Sequence, residues 1–382
     1  MEQSATKKLG FWQKMKERGI LSPWFLAFAG SFVFGILVYV LARIFPAFAE
    51  FWARYPSQGI RFLLGKLTSI FPFSTAEWVI YSSPVLIWGY FFFSARSMKK
   101  NKSERNYYRW ALSLVCILLT VLTLFFTAFG PCYFRYGLDE NLGIEKRPVS
   151  GEELYETAVI LGKEIDAIAD ELDFDISGAC IMPYDYPTLV EKVNDAYETY
   201  AAKADYVGHF DTYAKPMAIS PLFTYTHISG IYTFMTGEVN INTNYPDFIR
   251  PFTIAHEFSH QRGIAREDEA NFVAYLVCIE SDDAFVRYSG YANLLQYVTD
   301  ALWSADKELY RKYARTYMPT VISKEFAAYS AFFDKYREST ASQVTGAVNN
   351  TFLGSQGQSA GTKSYGLVVD LAVAYYLPVK DD

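Results

Sequence analysis

The chain has 382 residues, of which 51% are hydrophobic, and a formal net charge of −6 at pH 7. Residues 1–109 hold fifteen Lys and Arg against five Glu, whereas the remainder holds twenty Lys and Arg against thirty-six acidic residues. Because phosphate binding needs clustered positive charge, the acidic C-terminal part excludes nucleic acid as an expected partner. The four cysteines are too few for a disulfide scaffold, although Cys132 and Cys180 can pair if they face an oxidising compartment.

Three apolar segments in the first third of the chain are long enough to cross a lipid bilayer. They are free of charged residues and are bounded by Trp, Tyr, Lys or Arg, which favour the headgroup region. Buried core helices are the alternative, but three such runs so close together favour membrane spans. We therefore predict a membrane region over residues 1–135, with spans at residues 21–42, 78–95 and 110–134.

The distribution of basic residues predicts the orientation of these spans. Five Lys or Arg precede the first span and six lie between the second and third, whereas the longer loop between the first two spans holds four. Cytoplasmic loops carry the excess of Lys and Arg. The N-terminus is therefore expected in the cytoplasm and residues 136–382 outside it, at a plasma or inner membrane.

The C-terminal part, residues 136–382, changes to helical periodicity with polar faces. Ser150 is the expected N-cap of one helix, and a second helix is expected near residues 188–204. Residues 231–234 and 239–242 have the pattern of two strands joined by a turn. Helical patterns dominate the rest. The predicted fold is mainly α, with three N-terminal transmembrane helices and a mostly helical domain that holds a small β-sheet or hairpin.

Residues 256–260 read His-Glu-Phe-Ser-His, which fits the metal-binding pattern HExxH. On a helix, residues four apart share one face, so the imidazoles of His256 and His260 can reach one metal ion. Glu257 projects beside that face, where it can take a proton from a metal-bound water. Two of the chain's four histidines lie here, between a strand-like segment and a Gly with an acidic cluster, which favours a metal site over ordinary surface histidines.

A tetrahedral zinc site needs a third protein ligand and leaves one position open for water. Gly263 can end the helix in a left-handed conformation and turn the chain back towards the metal. Acidic residues follow at the start of a second helix. Among them Glu267 is the favoured third ligand, and Glu269, which points about 160° away round the helix, is the alternative.

Other predicted site residues surround these ligands. Asn271 lies four residues after Glu267 and is expected to orient a ligating His. Residues 237–242, which begin with Gly237 and Glu238, are strand-like and are a candidate for binding an extended peptide by strand addition, with a core hairpin as the alternative. Glu238 either braces the site or closes a turn. The candidate donors to a developing oxyanion are Tyr225, His227, Arg287 and Tyr288.

The segment resembles zinc peptidases with a glutamate as third ligand, in which a helix bearing ExxA(N/D) follows HExxH. Here that pattern is residues 267–271. The whole chain more closely resembles a bacterial family of unknown function with several N-terminal spans and an extracytoplasmic HExxHQxG domain. The resemblance implies a zincin-like metallopeptidase fold and brings no substrate. The residues that carry it are 230–232, 236–238, 256–263 and 266–275.

Two features depart from the peptidase patterns. The third ligand lies seven residues after His260, whereas many glutamate-ligand peptidases place it a couple of dozen residues further on. Arg266 stands where the related HExxHxxGxxH pattern has its last His. Both departures leave the choice between Glu267 and Glu269 open at this point.

The sequence therefore predicts a membrane-anchored zinc peptidase with one Zn²⁺ per chain, held by His256, His260 and Glu267. Glu257 is the expected general base, and the expected partners are a peptide or protein substrate and the lipid bilayer. Two alternatives stay open: a zinc-binding membrane sensor without turnover, and a zinc amidase that acts on cell-wall peptides. The presence of Glu257 favours catalysis, because a purely structural zinc needs no base beside it.

Overall fold

A computed structural model of the chain describes residues 10–336, 339–356 and 367–378. The described part is mainly helical with one small sheet, as predicted. The N-terminal helices are α1 Phe11–Glu17, α2 Pro23–Ile44, α3 Pro46–Trp52, α4 Gln58–Ser69, α5 Thr75–Lys100 and α6 Glu104–Leu124. Irregular helical turns extend two of them. A π-helical turn, Ala53–Ser57, joins α3 to α4, and Phe125–Phe129 (π) and Gly130–Phe134 (3-10) follow α6.

Among the described residues, three helices are long and apolar enough to cross a membrane, and they match the three predicted segments. They are Pro23–Ile44, Thr75–Lys100 and Glu104–Phe134. The second and third begin before the charge-free runs because serines cap them. Ser74 accepts a hydrogen bond from the backbone N–H of Glu77, and Ser103 accepts one from the N–H of Asn106. These two helices thus begin at the capping serines, whereas the predicted bounds of the spans began at the first residue of each charge-free run.

The C-terminal part contains eleven α-helices, two short 3-10 helices and three strands within the described residues. Ser150 caps α8 as predicted: its hydroxyl accepts from the N–H of Glu153, whose carboxylate accepts from the N–H of Ser150. The elements are α7 Leu138–Leu142, α8 Gly151–Ile168, α9 Tyr186–Ala201, β1 Ala214–Pro216, α10 Ser220–Phe223, β2 Gly230–Thr233, β3 Glu238–Ile241, α11 Ile249–Gln261, α12 Glu267–Ile279, α13 Ala284–Ala305, α14 Lys307–Thr316, α15 Thr320–Phe333, α16 Thr340–Ser355 and α17 Val368–Tyr376.

The sheet has the strand order β1-β3-β2. The predicted hairpin is present as β2 and β3, which run antiparallel with Tyr232 opposite Val239. β1 runs parallel to β3 and was not predicted, because three residues are too few to show a period-two pattern. The central position of β3 means that both of its edges are already paired, and β2 forms one edge of the sheet.

The hydrophobic core of the C-terminal part lies between helices. α11, α12 and α13 pack against one another, α8 lies on α13, and α9 packs on α11 and α12. α17 contacts α8, α12 and α13. All four cysteines are buried and unpaired, so the considered disulfide between Cys132 and Cys180 is not formed. This packing fixes α11 and α12, which carry the predicted metal ligands.

The connection between the first two spans packs against the C-terminal part at Arg61 of α4. The fully buried guanidinium of Arg61 donates hydrogen bonds to the carbonyl oxygens of Gln261 at 2.8 Å, Ala128 at 3.0 Å and Ala53 at 3.1 Å. No carboxylate among the described residues pairs with it. Its charge instead meets the negative C-terminal end of α11. The predicted boundary at residue 135 therefore divides segments that pack together.

We expect Arg61→Ala to destabilise the protein by about 3 kcal/mol or more, because several buried carbonyl groups lose their donor. Lys66→Ala on the same helix is the matched control, since the exposed pair of Lys66 with Asp211 contributes about 1 kcal/mol or less. The measurement is the midpoint of thermal unfolding of the full chain in detergent, followed by tryptophan fluorescence. Equal midpoints for the two variants would contradict the assigned role of Arg61.

Candidate metal centre

The HExxH residues lie in the second half of α11, which ends in a glycine turn. The N–H of Gly263 donates to the carbonyl oxygen of His260, and the N–H of Ile264 donates to that of Ser259, each at 3.0 Å. Gly263 has φ +89°, the left-handed conformation predicted for it. A side chain there would also meet the guanidinium of Arg61, 2.5 Å from the Cβ position. The turn leads directly into α12.

Three of the predicted ligands converge where α11 faces the start of α12. The Nε2 atom of His256 lies 3.3 Å from Oε2 of Glu267, and Nε2 of His260 lies 3.7 Å from Oε1. One ligand atom from each residue can be chosen so that all lie within 4.8 Å of one another. Ligands at about 2.1 Å from a tetrahedral zinc are roughly 3.4 Å apart, so the cluster can hold such an ion after small movements.

Glu269, the alternative third ligand, lies on another side of α12. Its carboxylate accepts a hydrogen bond from the N–H of Leu138 at 3.0 Å and is 3.4 Å from the guanidinium of Arg266. Burial raises the pKa of this carboxyl group. The geometry therefore groups Glu267 with the two histidines and gives Glu269 a contact with the N-terminus of α7.

The side chain of Glu257 projects from α11 towards the edge strand β2. It is buried, and its carboxylate accepts a hydrogen bond from the backbone N–H of Tyr232. A Cβ at Gly230 would stand 2.7 Å from Cγ of Glu257, so only glycine leaves room for this side chain. Burial raises the pKa of Glu257, against the opposing effect of the adjacent histidines. A carboxyl group with a raised pKa is suited to proton transfer near neutral pH.

The two histidines and Glu267 form an ion-pair cluster in the metal-free protein. Burial lowers the pKa of His260, but the Glu267 carboxylate outweighs this and raises the pKa to about 9. Burial also raises the pKa of Glu267, and the two histidines more than offset it, so that this pKa is lowered overall. Nδ1 of His260 lies 2.8 Å from the carbonyl oxygen of Ile264, which orients the ring and leaves Nε2 towards Glu267.

Asn271 and His256 each bury a polar atom without a hydrogen-bond partner in the described part of the chain. These atoms are Nδ2 of Asn271 and Nδ1 of His256. The predicted hydrogen bond between Asn271 and a ligating histidine is therefore absent from the described contacts, and the role of Asn271 stays a prediction. Unpartnered buried polar atoms are uncommon in folded proteins, and here they border the cluster of ligands.

Glu238 contacts the second span, which differs from its predicted place at the site. It forms a buried ion pair with Lys215 of β1. Its carboxylate also accepts hydrogen bonds from the N–H groups of Thr75 at 2.9 Å and Ala76 at 2.8 Å, at the N-terminus of α5. Because the helix dipole is positive there, Glu238 stabilises the start of this span.

Gly237 packs against α4. It has φ +69°, and a Cβ there would stand 2.6 Å from the backbone nitrogen of Gly65. Its carbonyl oxygen accepts a hydrogen bond from Nε2 of Gln261 at 2.7 Å. The prediction that residues 237–242 bind a peptide by strand addition is wrong, because this run forms β3 and both edges of β3 are paired. β2 is the edge strand beside the motif.

The predicted oxyanion donors are engaged elsewhere. The hydroxyl of Tyr288 donates to Glu325 at 3.1 Å, and the guanidinium of Arg287 donates to the carbonyl oxygen of Ser281 at 3.0 Å. Nε2 of His227 lies 2.8 Å from the carbonyl oxygen of Tyr336. The ring of Tyr225 packs on the ring of the same Tyr336. In three of the four side chains, a polar atom is therefore engaged in a contact away from the metal ligands.

Phe129, at the end of the third span, was missed by reasoning from the sequence. Its ring centroid lies 6.2 Å from that of His260, with the rings nearly perpendicular, and 5.4 Å from that of Tyr232. A signal was present: the charge-free run of residues 110–134 is longer than the roughly 20 residues that a bilayer requires. Phe129 lies near the end of this run, and its ring forms one wall of the cluster.

The ion-pair cluster predicts how the stability of the metal-free protein depends on pH. From about pH 6.5 to about pH 9, folded His260 keeps a proton that the unfolded chain releases. This stabilisation is complete below pH 6.5 and is lost as the pH rises through about 9. Glu267→Gln removes the carboxylate that holds the proton, and should flatten the decline.

The measurement is the thermal midpoint of the full chain against pH, in detergent with EDTA. Glu269→Gln, on another side of α12, is the matched control and should keep the wild-type slope. An unchanged slope in Glu267→Gln would show that this carboxylate does not hold the proton on His260.

A comparison with protein families gives one match. A family model described as a protein of unknown function, DUF3810, matches residues 53–373. The matched range covers most of the chain, and it includes α4, the last two spans and the HExxH segment. No curated protein and no solved structure matches the chain.

Proposed function

We propose that this chain, which belongs to the DUF3810 family of proteins of unknown function, is a membrane-anchored zinc peptidase. The observation that supports the proposal most directly is the cluster of His256, His260 and Glu267, with ligand atoms within 4.8 Å of one another. Two neutral imidazoles and one carboxylate suit zinc and leave one position open. The buried carboxyl group of Glu257, next in sequence to a ligand, favours a hydrolytic site over a structural one.

In this proposal, His256 and His260 bind the ion through Nε2 and Glu267 binds it through its carboxylate. A zinc ion in such a site supplies a Lewis acid and an activated water. Glu257 would accept a proton from the water whose oxygen bonds to the peptide carbonyl carbon, and would pass it to the amine nitrogen as the C–N bond breaks. The carbonyl oxygen of Ile264 holds the ring of His260 in place through Nδ1.

The edge strand β2 is the proposed binding site for the peptide substrate. The N–H of Asn242 donates to the carbonyl oxygen of Ser229 at 2.8 Å, which sets the alternation of hydrogen-bonding groups along the hairpin. With this register, the backbone groups of Gly230 and Tyr232 point away from β3, where the N–H of Tyr232 meets the Glu257 carboxylate and the groups of Gly230 are left for a peptide. An extended peptide can pair with this edge beside Glu257. The same proposal assigns a zincin-like fold to the C-terminal part and places that part outside the cytoplasm.

Metal analysis of the purified full chain tests the ligand set. We expect one zinc per chain after dialysis, and its loss in His256→Ala and Glu267→Gln, because each variant removes one of three protein ligands. Glu269→Gln has the same chemical change on another side of α12 and should retain the metal. Zinc lost equally in Glu267→Gln and Glu269→Gln, or no zinc in folded wild-type protein supplied with it, would overturn the assignment.

Turnover of a quenched fluorescent peptide library by the zinc-loaded full chain tests the reaction. Glu257→Gln should keep its zinc and lower the rate by about 100-fold or more, because the amide cannot accept the proton. Equal rates for wild type and Glu257→Gln would contradict the role of this residue. Zinc-loaded wild type that cleaves nothing in the library above the background of this variant would favour the sensor.

A further inference from the structure

In the helical segment between the first two spans, residues 53–70, large apolar side chains are exposed and small or polar side chains are buried. Residues at four-residue spacing form its buried face, and they are small or polar. These are Ala53, Ser57, Arg61 and Gly65. The opposite face carries large apolar side chains that are exposed, among them Leu63 at 58% and Ile70 at 74%. The exposed apolar residues of this segment, which we call the apolar stripe, are Tyr55, Phe62, Leu63, Leu67 and Ile70.

Two charged side chains of the same segment pair with exposed carboxylates of the C-terminal part, and a third is buried. Lys66 pairs with Asp211 at 2.8 Å, and Arg54 pairs with Asp205 at 3.2 Å. Arg61 is buried against backbone carbonyl groups. A helix on a water-facing surface has the reverse arrangement, with its apolar side inwards. An apolar side that faces outwards marks a contact with lipid or with another protein.

The position of α4 in the chain decides between these two partners. α2 ends at Ile44 and α5 begins at Thr75, so both ends of the segment are continuous with membrane spans. Spans that alternate in direction place the end of α2, the start of α5 and the end of the third span on one side of the bilayer. The apolar stripe is therefore held at the level where the hydrocarbon core begins.

We propose that α4 lies in the headgroup region with the apolar stripe in lipid, and that it holds the candidate metal centre at the membrane surface. Interfacial helices bind in this way, with the apolar face embedded at the boundary between headgroups and acyl chains. The partner is thus the lipid bilayer, on the side that carries the C-terminal part. This contact does not depend on any catalytic activity.

Two features give the height of the candidate metal centre above the lipid. Arg61 contacts the carbonyl oxygen of Gln261, the residue after His260, so the centre lies about one helix diameter, roughly 10 Å, from the apolar stripe. The third span gives a similar result. About 20 helical residues cross the hydrocarbon core, and counting from residue 110 places Phe129 at its far boundary. The ring of Phe129 contacts His260.

A site at this height selects its substrate by position. Peptide bonds within about 10 Å of the lipid surface can reach it, whereas a domain far above the membrane must approach past the rest of the C-terminal part. The substrate class is therefore the membrane-proximal segment of a membrane-anchored polypeptide. This second step rests on the proposed peptidase function, and the lipid contact does not.

Spin labels at single introduced cysteines test the lipid contact in the full chain. The variants are Leu67→Cys on the apolar stripe and Ile176→Cys, which is fully exposed on the C-terminal part. The protein is reconstituted into vesicles of phosphatidylcholine and phosphatidylglycerol. Because the four native cysteines are buried, wild-type protein serves as the blank. We expect the label at residue 67 to be relaxed by oxygen several-fold more than by a water-soluble nickel chelate, and the label at 176 the reverse.

Two results would overturn the lipid contact. Equal relaxation by the nickel chelate at residues 67 and 176 would place the apolar stripe in water. Protection of the label at 67 from both reagents, with spectral broadening that disappears on dilution with unlabelled protein, would place a second copy of the chain on the apolar stripe.

Tethered peptides test the substrate class in the same vesicles. One quenched fluorescent peptide library is joined to a palmitoyl anchor directly, and a second through a Gly/Ser spacer with a reach of roughly 25 Å. Both libraries are equally concentrated at the membrane. We expect the directly anchored library to be cleaved about fivefold faster or more, because its peptide bonds stay at the height of the site. Equal or reversed rates would overturn the substrate class, whereas cleavage of neither library would contradict the peptidase and leave the spin-label result intact.

Discussion

The buried guanidinium of Arg61 joins three segments that are distant in sequence. Its carbonyl partners belong to Ala53 before α4, Ala128 at the end of the third span, and Gln261 at the end of α11. A buried cation without a carboxylate partner is tolerated only when its hydrogen bonds are complete. Each segment must therefore keep its position relative to the other two. The place of the HExxH helix beside the membrane depends on this contact.

A second buried charge fixes the sheet to the second span. Glu238 at the start of β3 contacts both Lys215 and the first N–H groups of α5. The Arg61 contact reaches the third span at Ala128 and the Glu238 contact reaches the second, so the C-terminal part is attached at two points. Ligands held on such a support need little reorganisation when an ion binds. The Gly263 turn and the hydrogen bond at Nδ1 of His260 add local restraint.

Features that depend on neighbouring residues could be predicted from the sequence, and features that depend on distant ones could not. The spacing of the motif, the left-handed Gly263 and the placement of Glu267 with the histidines all follow from local helix and turn geometry. The partner of Glu238 is 163 residues away at Thr75, and no periodicity reveals such a contact. The packing of α4 on α11 was not predicted for the same reason, whereas β1 is too short to show a period-two pattern. From its hydropathy, α4 is predicted to be part of the loop between the first two spans, and its exposed apolar face is not predicted.

The contact of Phe129 with His260 also has a consequence for biogenesis. In the proposed topology, the wall of the site that this ring supplies comes from the far end of the third span, so it is in place only after that span has crossed the bilayer. In that topology, insertion of the third span and completion of the site are coupled.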